Sequence, residues 1–349
     1  NVYASGLYWR GNCEVGQLTN RGVAQTRQLG KDLRSVYVDQ LRFLSSALDP
    51  KDLYLRNTYI WRTRESIEGF LDGLYPASYR RQRSSKKGHH DDQAWVLTLN
   101  TYPQAIETLI LNPTACPKLG LLYKEFFKTP RYAEFIRSNY ALMVKVNKVL
   151  GVDSNPAYNT TINGDTVMPR YCNGLPLGCS PLDPKLCLSN KEVVKAIKEG
   201  TFMYSGVFRE DQYSAAEEVK RLAVGPILKT LSSSIRVSAQ SKGRGQMNSA
   251  GKRFEIYSAH DQSLDQILAV IATPETPWPA YASSLIIEVW KKPSTKNTHE
   301  RFVRVLYEGK VVPANQKLGC TLDACPLENF LQFIESYIPK DMAAACRPF

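Results

Sequence analysis

Two stretches of the sequence share one layout, in which a short apolar strand passes through a polar loop into an amphipathic helix. The first is "LYLRNTYIWRTRESIEGFL", residues 53–71, and the second is "FEIYSAHDQSLDQILAVI", residues 254–271. Strands that alternate with helices in this way form parallel sheets that are flanked by helices. The two junctions therefore predict an α/β fold, although residues 72–253 separate them.

Other strand and helix patterns lie near both ends of the chain. A tight turn at residues 16–19 precedes an amphipathic helix, in which Leu29 and Leu33 share one face. Strand patterns return at residues 285–290 and 302–307, and a hairpin turn is predicted directly after the second of them. The strand content is thus concentrated at the two ends of the sequence.

The middle of the chain has a different pattern. It is mostly helical, with loops rich in Pro, Gly and Cys, notably at residues 163–187. We therefore predict a mixed, mostly parallel α/β domain from residues 1–95 and 254–349. Residues 96–253 are predicted to form a helical cap that is inserted into this domain and lies over the carboxyl edge of its sheet.

The formal net charge of +12 raises the question of a nucleic-acid partner. The densest basic stretches, residues 80–87 and 242–253, contain Ser, Gly or Gln and lack aromatic residues at stacking distance, so we interpret them as solvated loops. Nucleic-acid binding is not expected, whereas phosphate esters or an anionic membrane surface would be attracted to such a protein. Because the sequence has no apolar run of about 18 residues, we expect a soluble or peripheral protein.

Eight cysteines occur in the sequence, without the paired Cys-x-x-Cys spacing of a structural zinc site. Disulfide bonds in an oxidising compartment are favoured over free core thiols, and we expect neither a metal ion nor a cofactor. The sequence begins with Asn and has no apolar signal region, so we expect that a leader has been removed. Secretory, lysosomal and mitochondrial intermembrane locations all fit this pattern.

Each of the two junctions carries side chains that suit an anion. His260 and Asp261 follow a strand and begin a helix, at the carboxyl edge where open α/β sheets bind ligands. Arg62 follows the other strand, and its guanidinium can bind a phosphate through two hydrogen bonds. Taken singly, His260 is better interpreted as a turn histidine, Asp261 as a helix N-cap and Arg62 as a surface arginine. Taken together, the junctions favour a phosphate site.

Ordered motifs along the whole chain resemble the histidine acid phosphatase family, branch 2 of the histidine phosphatase superfamily. They include, in chain order, Gly16-Gln17-Leu18-Thr19-x-x-Gly22, Arg56-Asn57-Thr58, Arg62-Thr63, Ala259-His260-Asp261 and Cys320-x4-Cys325-Pro326-Leu327. Within the family, "LRSVYVDQLRFLSSALDP" and "LAVGPIL" are most similar to the lysophosphatidic acid phosphatase branch. The resemblance implies a phosphoglycerate mutase-like fold and the hydrolysis of phosphomonoesters through a phosphohistidine.

The resemblance also implies a role for each candidate residue. Arg62 matches a phosphate-binding arginine, His260 a phosphate-binding imidazole, and Asp261 the acid that protonates the leaving oxygen. In this family, the nucleophilic histidine lies in an Arg-His-Gly motif at the end of a first core strand. That context surrounds none of the histidines of this sequence, which are His89, His90, His260 and His299. We interpret His89 and His90 as solvated residues of a polar, basic loop.

Two interpretations from different classes follow. In the first, a segment outside this sequence supplies the strand and its histidine, and the protein hydrolyses phosphomonoesters such as lysophosphatidic acid. In the second, the strand has been lost, and the chain is an inactive, phosphatase-like binding or structural subunit of a larger protein assembly. Retention of Arg62, His260 and Asp261 favours the first. In an intact enzyme the first strand is buried and is expected to be well ordered, so mobility would not explain its absence. This consideration favours the second interpretation.

The resemblance finally implies two disulfide bonds, Cys116–Cys346 and Cys320–Cys325. Four cysteines are then left for other pairings, namely Cys13, Cys172, Cys179 and Cys187. A cysteine that the family often carries after Tyr-Ala-Ser is replaced by Ser284, so one familiar bridge is missing.

Overall fold

The computed structural model describes residues 16–79, 96–152, 162–180, 182–240, 252–292 and 300–348. The strands are β1 (Leu53–Asn57), β2 (Leu99–Thr101), β3 (Phe254–Ser258), β4 (Leu285–Lys291), β5 (Arg301–Tyr307), β6 (Lys310–Val311) and β7 (Cys325–Pro326). The helices are α1 (Asn20–Arg34), α2 (Trp61–Leu74), α3 (Pro117–Phe126), α4 (Pro130–Leu150), α5 (Gly164–Cys172), α6 (Asn190–Gly200), α7 (Phe202–Ser205), α8 (Ala216–Gln240), α9 (Asp261–Ile271), α10 (Leu327–Glu335) and α11 (Met342–Ala345). The predicted mixed α/β fold class is confirmed, and both strand–loop–helix junctions are present.

Several residues discussed above lie outside the described part of the chain. They are residues 80–87, most of residues 242–253, Cys13, His89, His90 and His299. Their interpretation stays a prediction.

The chain divides into two compact units. The larger comprises residues 16–116 and 220–346 and contains every strand named above, and the smaller is built around residues 117–219. The assignment of residues 96–253 to a cap over the sheet stays a prediction.

Two sheets lie in the larger unit. The first is parallel, with strand order β2-β1-β3, and its register places Asn57 of β1 opposite Ser258 of β3. The second is antiparallel, with strand order β4-β5-β6, and β7 also pairs with β5. Buried apolar side chains of β1, of α2 and of the segment that follows α1 form a hydrophobic core against the first sheet. This core fixes α2 on the sheet and therefore fixes the junction that leads into it.

Helices α1 and α2 cross with their backbones in contact. A Cβ atom added to Gly73 of α2 would lie 2.0 Å from the carbonyl oxygen of Arg27, and one added to Gly30 of α1 would lie 2.0 Å from that of Phe70. Real side chains do not approach backbone atoms so closely, so this crossing requires glycine at both positions. The glycine pair therefore sets the distance between the two helices.

Three disulfide bonds are present among the described residues. They are Cys116–Cys346, Cys179–Cys187 and Cys320–Cys325. The first and third join the cysteines that the family resemblance pairs, and the first links residues 230 positions apart. Such bonds fit an oxidising compartment. In the described ranges, no helix combines the length and the apolar character needed to cross a membrane.

The smaller unit is helical and contains one departure from the sequence prediction. Residues 163–187 have the composition of a loop, yet α5 occupies Gly164–Cys172 with Pro169 inside it. A proline in a helix interior removes one backbone hydrogen bond. The helix forms here because α5 packs tightly on α6, where a Cβ atom on Gly164 would lie 2.3 Å from the carbonyl oxygen of Ala196. Close packing thus outweighs the local preference of the sequence.

Candidate active site

The two junctions meet at one edge of the parallel sheet. Because β1 and β3 run parallel with Asn57 opposite Ser258, the residues that follow both strands lie side by side. The Oγ1 atom of Thr58 lies 3.0 Å from the Nε2 atom of His260. This contact joins residues 202 positions apart and brings the first junction against the second.

Arg62 lies at the first turn of α2, in a position that the residues before it define. The hydroxyl of Thr63 donates to the carbonyl oxygen of Ile60 at 2.7 Å, and the backbone N–H of Thr63 donates to the same oxygen at 3.0 Å. These bonds close the loop and start the helix at Trp61, so that Arg62 follows as its second residue. Among the residues that the structure describes, no carboxylate forms an ion pair with Arg62.

The turn at residues 16–19 packs against the same helical turn. A Cβ atom on Gly16 would lie 3.3 Å from Nη1 of Arg62, and the φ angle of Gly16 is +84°. This left-handed backbone conformation favours glycine, and the lack of a side chain leaves room for the guanidinium. The backbone N–H of Leu18 also donates to Oε2 of Glu65 at 3.2 Å. The turn and α2 thus confine Arg62 from two sides.

His260 and Asp261 begin α9. The backbone N–H of His260 donates to Oγ of Ser263 at 3.2 Å, and the hydroxyl of Ser263 donates to the carbonyl oxygen of Leu109. Asp261 accepts the backbone N–H of Gln262 through Oδ1 at 2.8 Å. Its second oxygen, Oδ2, accepts Nε1–H of Trp278 at 3.3 Å. The carboxylate is therefore held in a defined orientation at the start of the helix.

The electrostatic environment of His260 reflects burial and a neighbouring cation. Burial and, to a smaller extent, the positive charge of Arg62 together lower the pKa of His260 to about 4. The imidazole is consequently neutral at pH 7. A bound anion would oppose both effects, because it would offset the charge of Arg62 and stabilise a protonated ring.

The backbone adds to the attraction for an anion. Both α2, with 14 residues, and α9, with 11 residues, begin at this edge. A helix N-terminus carries a partial positive charge and N–H groups without intrahelical partners. Two helix N-termini and one guanidinium therefore favour phosphate at the meeting point of the junctions.

Arg56 belongs to the same motif as Thr58, but it contributes to structure. Its side chain is almost completely buried, with Nη2 2.7 Å from Oε1 of Glu107, and its guanidinium lies 4.1 Å from the ring centroid of Tyr102. Since Glu107 also accepts two backbone N–H groups, it fixes the loop that follows β2. The guanidinium of Arg56 is thereby committed to an internal ion pair.

Sequence reasoning did not assign roles to Thr58 or Trp278. Thr58 lies directly after a strand, in the register position that faces the other junction, and this is the signal that points to it. Trp278 lies in a loop 17 residues after Asp261, where sequence spacing gives no indication of contact. Over the described ranges, His, Cys, Asp and Glu side chains form no cluster of three or more that could hold a metal ion.

Comparison with known proteins identifies the family. The family model of the histidine phosphatase superfamily (branch 2) matches residues 4–308. The chain belongs to this superfamily. The match includes the first turn, both junctions, and strands β4 and β5 of the second sheet.

Individual relatives agree with this assignment. Counting factor 60 of Dictyostelium discoideum is 26% identical over 97% of this chain and 73% of its own length. Lysophosphatidic acid phosphatase type 6 of Homo sapiens is 27% identical over 97% of this chain and 70% of its own length. Among solved structures, a Hafnia alvei phytase in complex with tartrate superposes with a TM-score of 0.64 at 15% identity, covering 97% of this chain and 91% of the phytase. This last likeness shows the fold alone.

Proposed function

We propose that this member of the histidine phosphatase superfamily hydrolyses phosphomonoesters at the edge where its two junctions meet. The observation that carries the proposal is the 3.0 Å contact between Thr58 and His260, because it places the junction that holds Arg62 beside the junction that holds Asp261. Arg62 and His260 bind the phosphoryl oxygens, and Asp261 protonates the leaving oxygen. Arginine and helix N-termini are recurrent ligands of phosphate in proteins.

The reaction also needs a nucleophile. His260 is the one histidine among the described residues, and its Nε2 atom is engaged by Thr58. We propose that a histidine on a further strand attacks phosphorus, forms a phosphohistidine and releases the alcohol. Water then hydrolyses the phosphohistidine, so that one difficult displacement becomes two easier ones.

Open strand edges support this further strand. In the described part of the chain, β3 pairs along one edge with β1, and β4 pairs along one edge with β5. Both strands are rich in apolar residues, yet most of their side chains are only half-buried. The ring of Tyr37 packs on Phe254 of β3, and its hydroxyl donates to Glu288 of β4, so both strands border the same region. A parallel strand beside β3 would end next to His260.

The proposed substrate class follows from the charge and the side chains near Arg62. The net charge of +12 favours an anionic ester. Tyr59 and Trp61, which flank the start of α2, are 40% and 55% exposed and offer apolar surface to the alcohol part of a substrate. Lysophosphatidic acid combines a phosphomonoester with an acyl chain, and a relative is named for its hydrolysis. It is therefore the substrate that we propose.

A direct assay uses the protein expressed from its complete reading frame. We expect it to release phosphate from p-nitrophenyl phosphate and from lysophosphatidic acid. Because Trp61 is proposed to contact the acyl part, Trp61→Ala should raise KM about tenfold for lysophosphatidic acid and leave glycerol 3-phosphate unaffected, a loss of about 1.4 kcal/mol. Phosphate binding without hydrolysis of any ester would instead identify an inactive binding subunit and contradict the proposal.

A further inference from the structure

Thr58 is held rigidly beside His260 by burial and by several hydrogen bonds. Its side chain is fully buried, and its hydroxyl oxygen lies 3.0 Å from both Nε2 of His260 and Oγ1 of Thr63. Its backbone is braced as well, because Asn57 donates from Nδ2 to the carbonyl oxygen of Thr58 at 2.7 Å. Thr101 in turn donates from Oγ1 to Oδ1 of Asn57 at 2.6 Å.

The directions of these hydrogen bonds follow from the number of protons. Each hydroxyl has one proton to donate and two lone pairs with which to accept. The shortest contact of the Thr63 hydroxyl is with the carbonyl oxygen of Ile60, at 2.7 Å, and a carbonyl can only accept. The proton of Thr63 is therefore used there, and the proton of Thr58 points to Thr63. Thr58 is then left to accept hydrogen bonds from Nε2 of His260 and from the backbone N–H of Ile60, which lies 3.4 Å away.

We propose that Thr58 is a positioning residue of the phosphate site, whose buried hydroxyl accepts Nε2–H of His260 and ties the imidazole to the helix that carries Arg62. The chain of donors runs from His260 through Thr58 and Thr63 to the carbonyl oxygen of Ile60. It fixes the neutral ring in the tautomer that carries its proton on Nε2. The Nδ1 atom is then the ring nitrogen that remains for a ligand.

The expected effect of Thr58 on phosphate binding rests on the proposed function, whereas the expected tautomer of His260 does not. A ring that is held in one orientation loses less freedom when a ligand binds, so removal of the Thr58 hydroxyl should weaken binding without removing any group that touches phosphate. Serine at this position keeps the hydroxyl and should keep the affinity.

The tautomer is tested by NMR on the 349-residue chain labelled with 15N-histidine. Four histidines give a simple spectrum, and the signals of His260 are those that disappear in His260→Gln. At pH 7, long-range 1H–15N correlations are expected to show a pyrrole-type Nε2 and a pyridine-type Nδ1. A pyridine-type Nε2 in the unsubstituted chain would overturn the proposal.

Variants of the two threonines test the direction of the hydrogen bonds from His260 through Thr58 to Thr63. Thr63→Val removes the acceptor of the Thr58 proton, so that this proton turns to Nε2 and the ring should switch to the tautomer with its proton on Nδ1. Thr58→Val should leave the ring in a mixture of tautomers and raise the Kd for inorganic phosphate about tenfold, or 1.4 kcal/mol. Thr58→Ser should keep both the Nε2-protonated tautomer and the phosphate affinity of the unsubstituted chain.

Two results would contradict the assignment. They are an unchanged His260 tautomer in Thr63→Val, and an equal loss of phosphate affinity in Thr58→Ser and Thr58→Val. Failure of the unsubstituted chain to bind phosphate would contradict the proposed function and leave the NMR result to decide on Thr58.

Discussion

Replacement of Asp261 by Asn is expected to lower kcat for lysophosphatidic acid by a factor on the order of 10²–10⁴, the usual contribution of a positioned general acid. Asn keeps the size of the side chain and can keep the contacts with Gln262 and Trp278, but it cannot release a proton. The alkoxide that leaves lysophosphatidic acid is strongly basic and needs that proton. Nitrophenolate is a much weaker base, so the same variant should retain far more activity towards p-nitrophenyl phosphate.

Steady-state hydrolysis of the two esters by the protein expressed from its complete reading frame measures this difference. Asp323→Asn is the matched control, since Asp323 is an exposed carboxylate that pairs with Arg304 and lies far along the chain from both junctions. Its kinetics should be unchanged for both esters. An equal loss for the two esters in Asp261→Asn would mean that Asp261 does not act as the acid.

The Gly73→Ala substitution is expected to destabilise the larger unit by about 3 kcal/mol or more, the upper range for overpacking of a core. Its new Cβ atom would lie 2.0 Å from the carbonyl oxygen of Arg27 and 2.9 Å from Cα of Gly30. These are backbone atoms, so no side chain can rotate away, and the two helices must separate. A folded protein has only about 5–15 kcal/mol of stability, so the loss is large.

The same substitution should also affect the site. Separation of α1 from α2 moves the turn at Gly16 away from Arg62, because these two elements contact each other at the guanidinium. Urea unfolding gives the loss of stability, and Gly22→Ala is the control within α1. At Gly22 the new Cβ atom would meet the flexible end of Leu18 at 3.2 Å, so a change within about 1 kcal/mol is expected. Equal midpoints for the Gly73→Ala and unsubstituted proteins would show that the helices do not cross as described.

The two junctions were predictable because each is formed by one continuous stretch of the sequence. An apolar strand, a polar loop and a helical spacing of apolar residues identify β1–α2 and β3–α9 without knowledge of the rest of the chain. The same patterns place Arg62, His260 and Asp261 after strands, where the following helices begin. In an open α/β sheet, strand ends gather at one edge, and this geometry is what suggested a shared site.

Contacts between distant segments were not predictable in the same way. The hydrogen bond from His260 to Thr58 depends on the register of β1 against β3. A one-residue shift of a strand would move each of its side chains to the opposite face of the sheet. The ion pair of Arg56 depends on the loop after β2, which brings Glu107 to the guanidinium. Helix α5 forms despite Pro169 because of its packing on α6. Each of these features is determined by packing between distant segments, which the local sequence pattern does not predict.

Titration with inorganic phosphate tests most directly whether the two junctions form one phosphate site. The unsubstituted 349-residue chain is expected to bind phosphate with a Kd of about 1 mM, or roughly −4 kcal/mol, because one arginine and one imidazole bind only weakly. Arg62→Gln should raise that Kd at least tenfold. Arg64→Gln, which removes an exposed arginine of the same helix that pairs with Glu68, should leave it unchanged. Loss of binding in Arg62→Gln alone would support the site, and equal affinities in the two variants would contradict it.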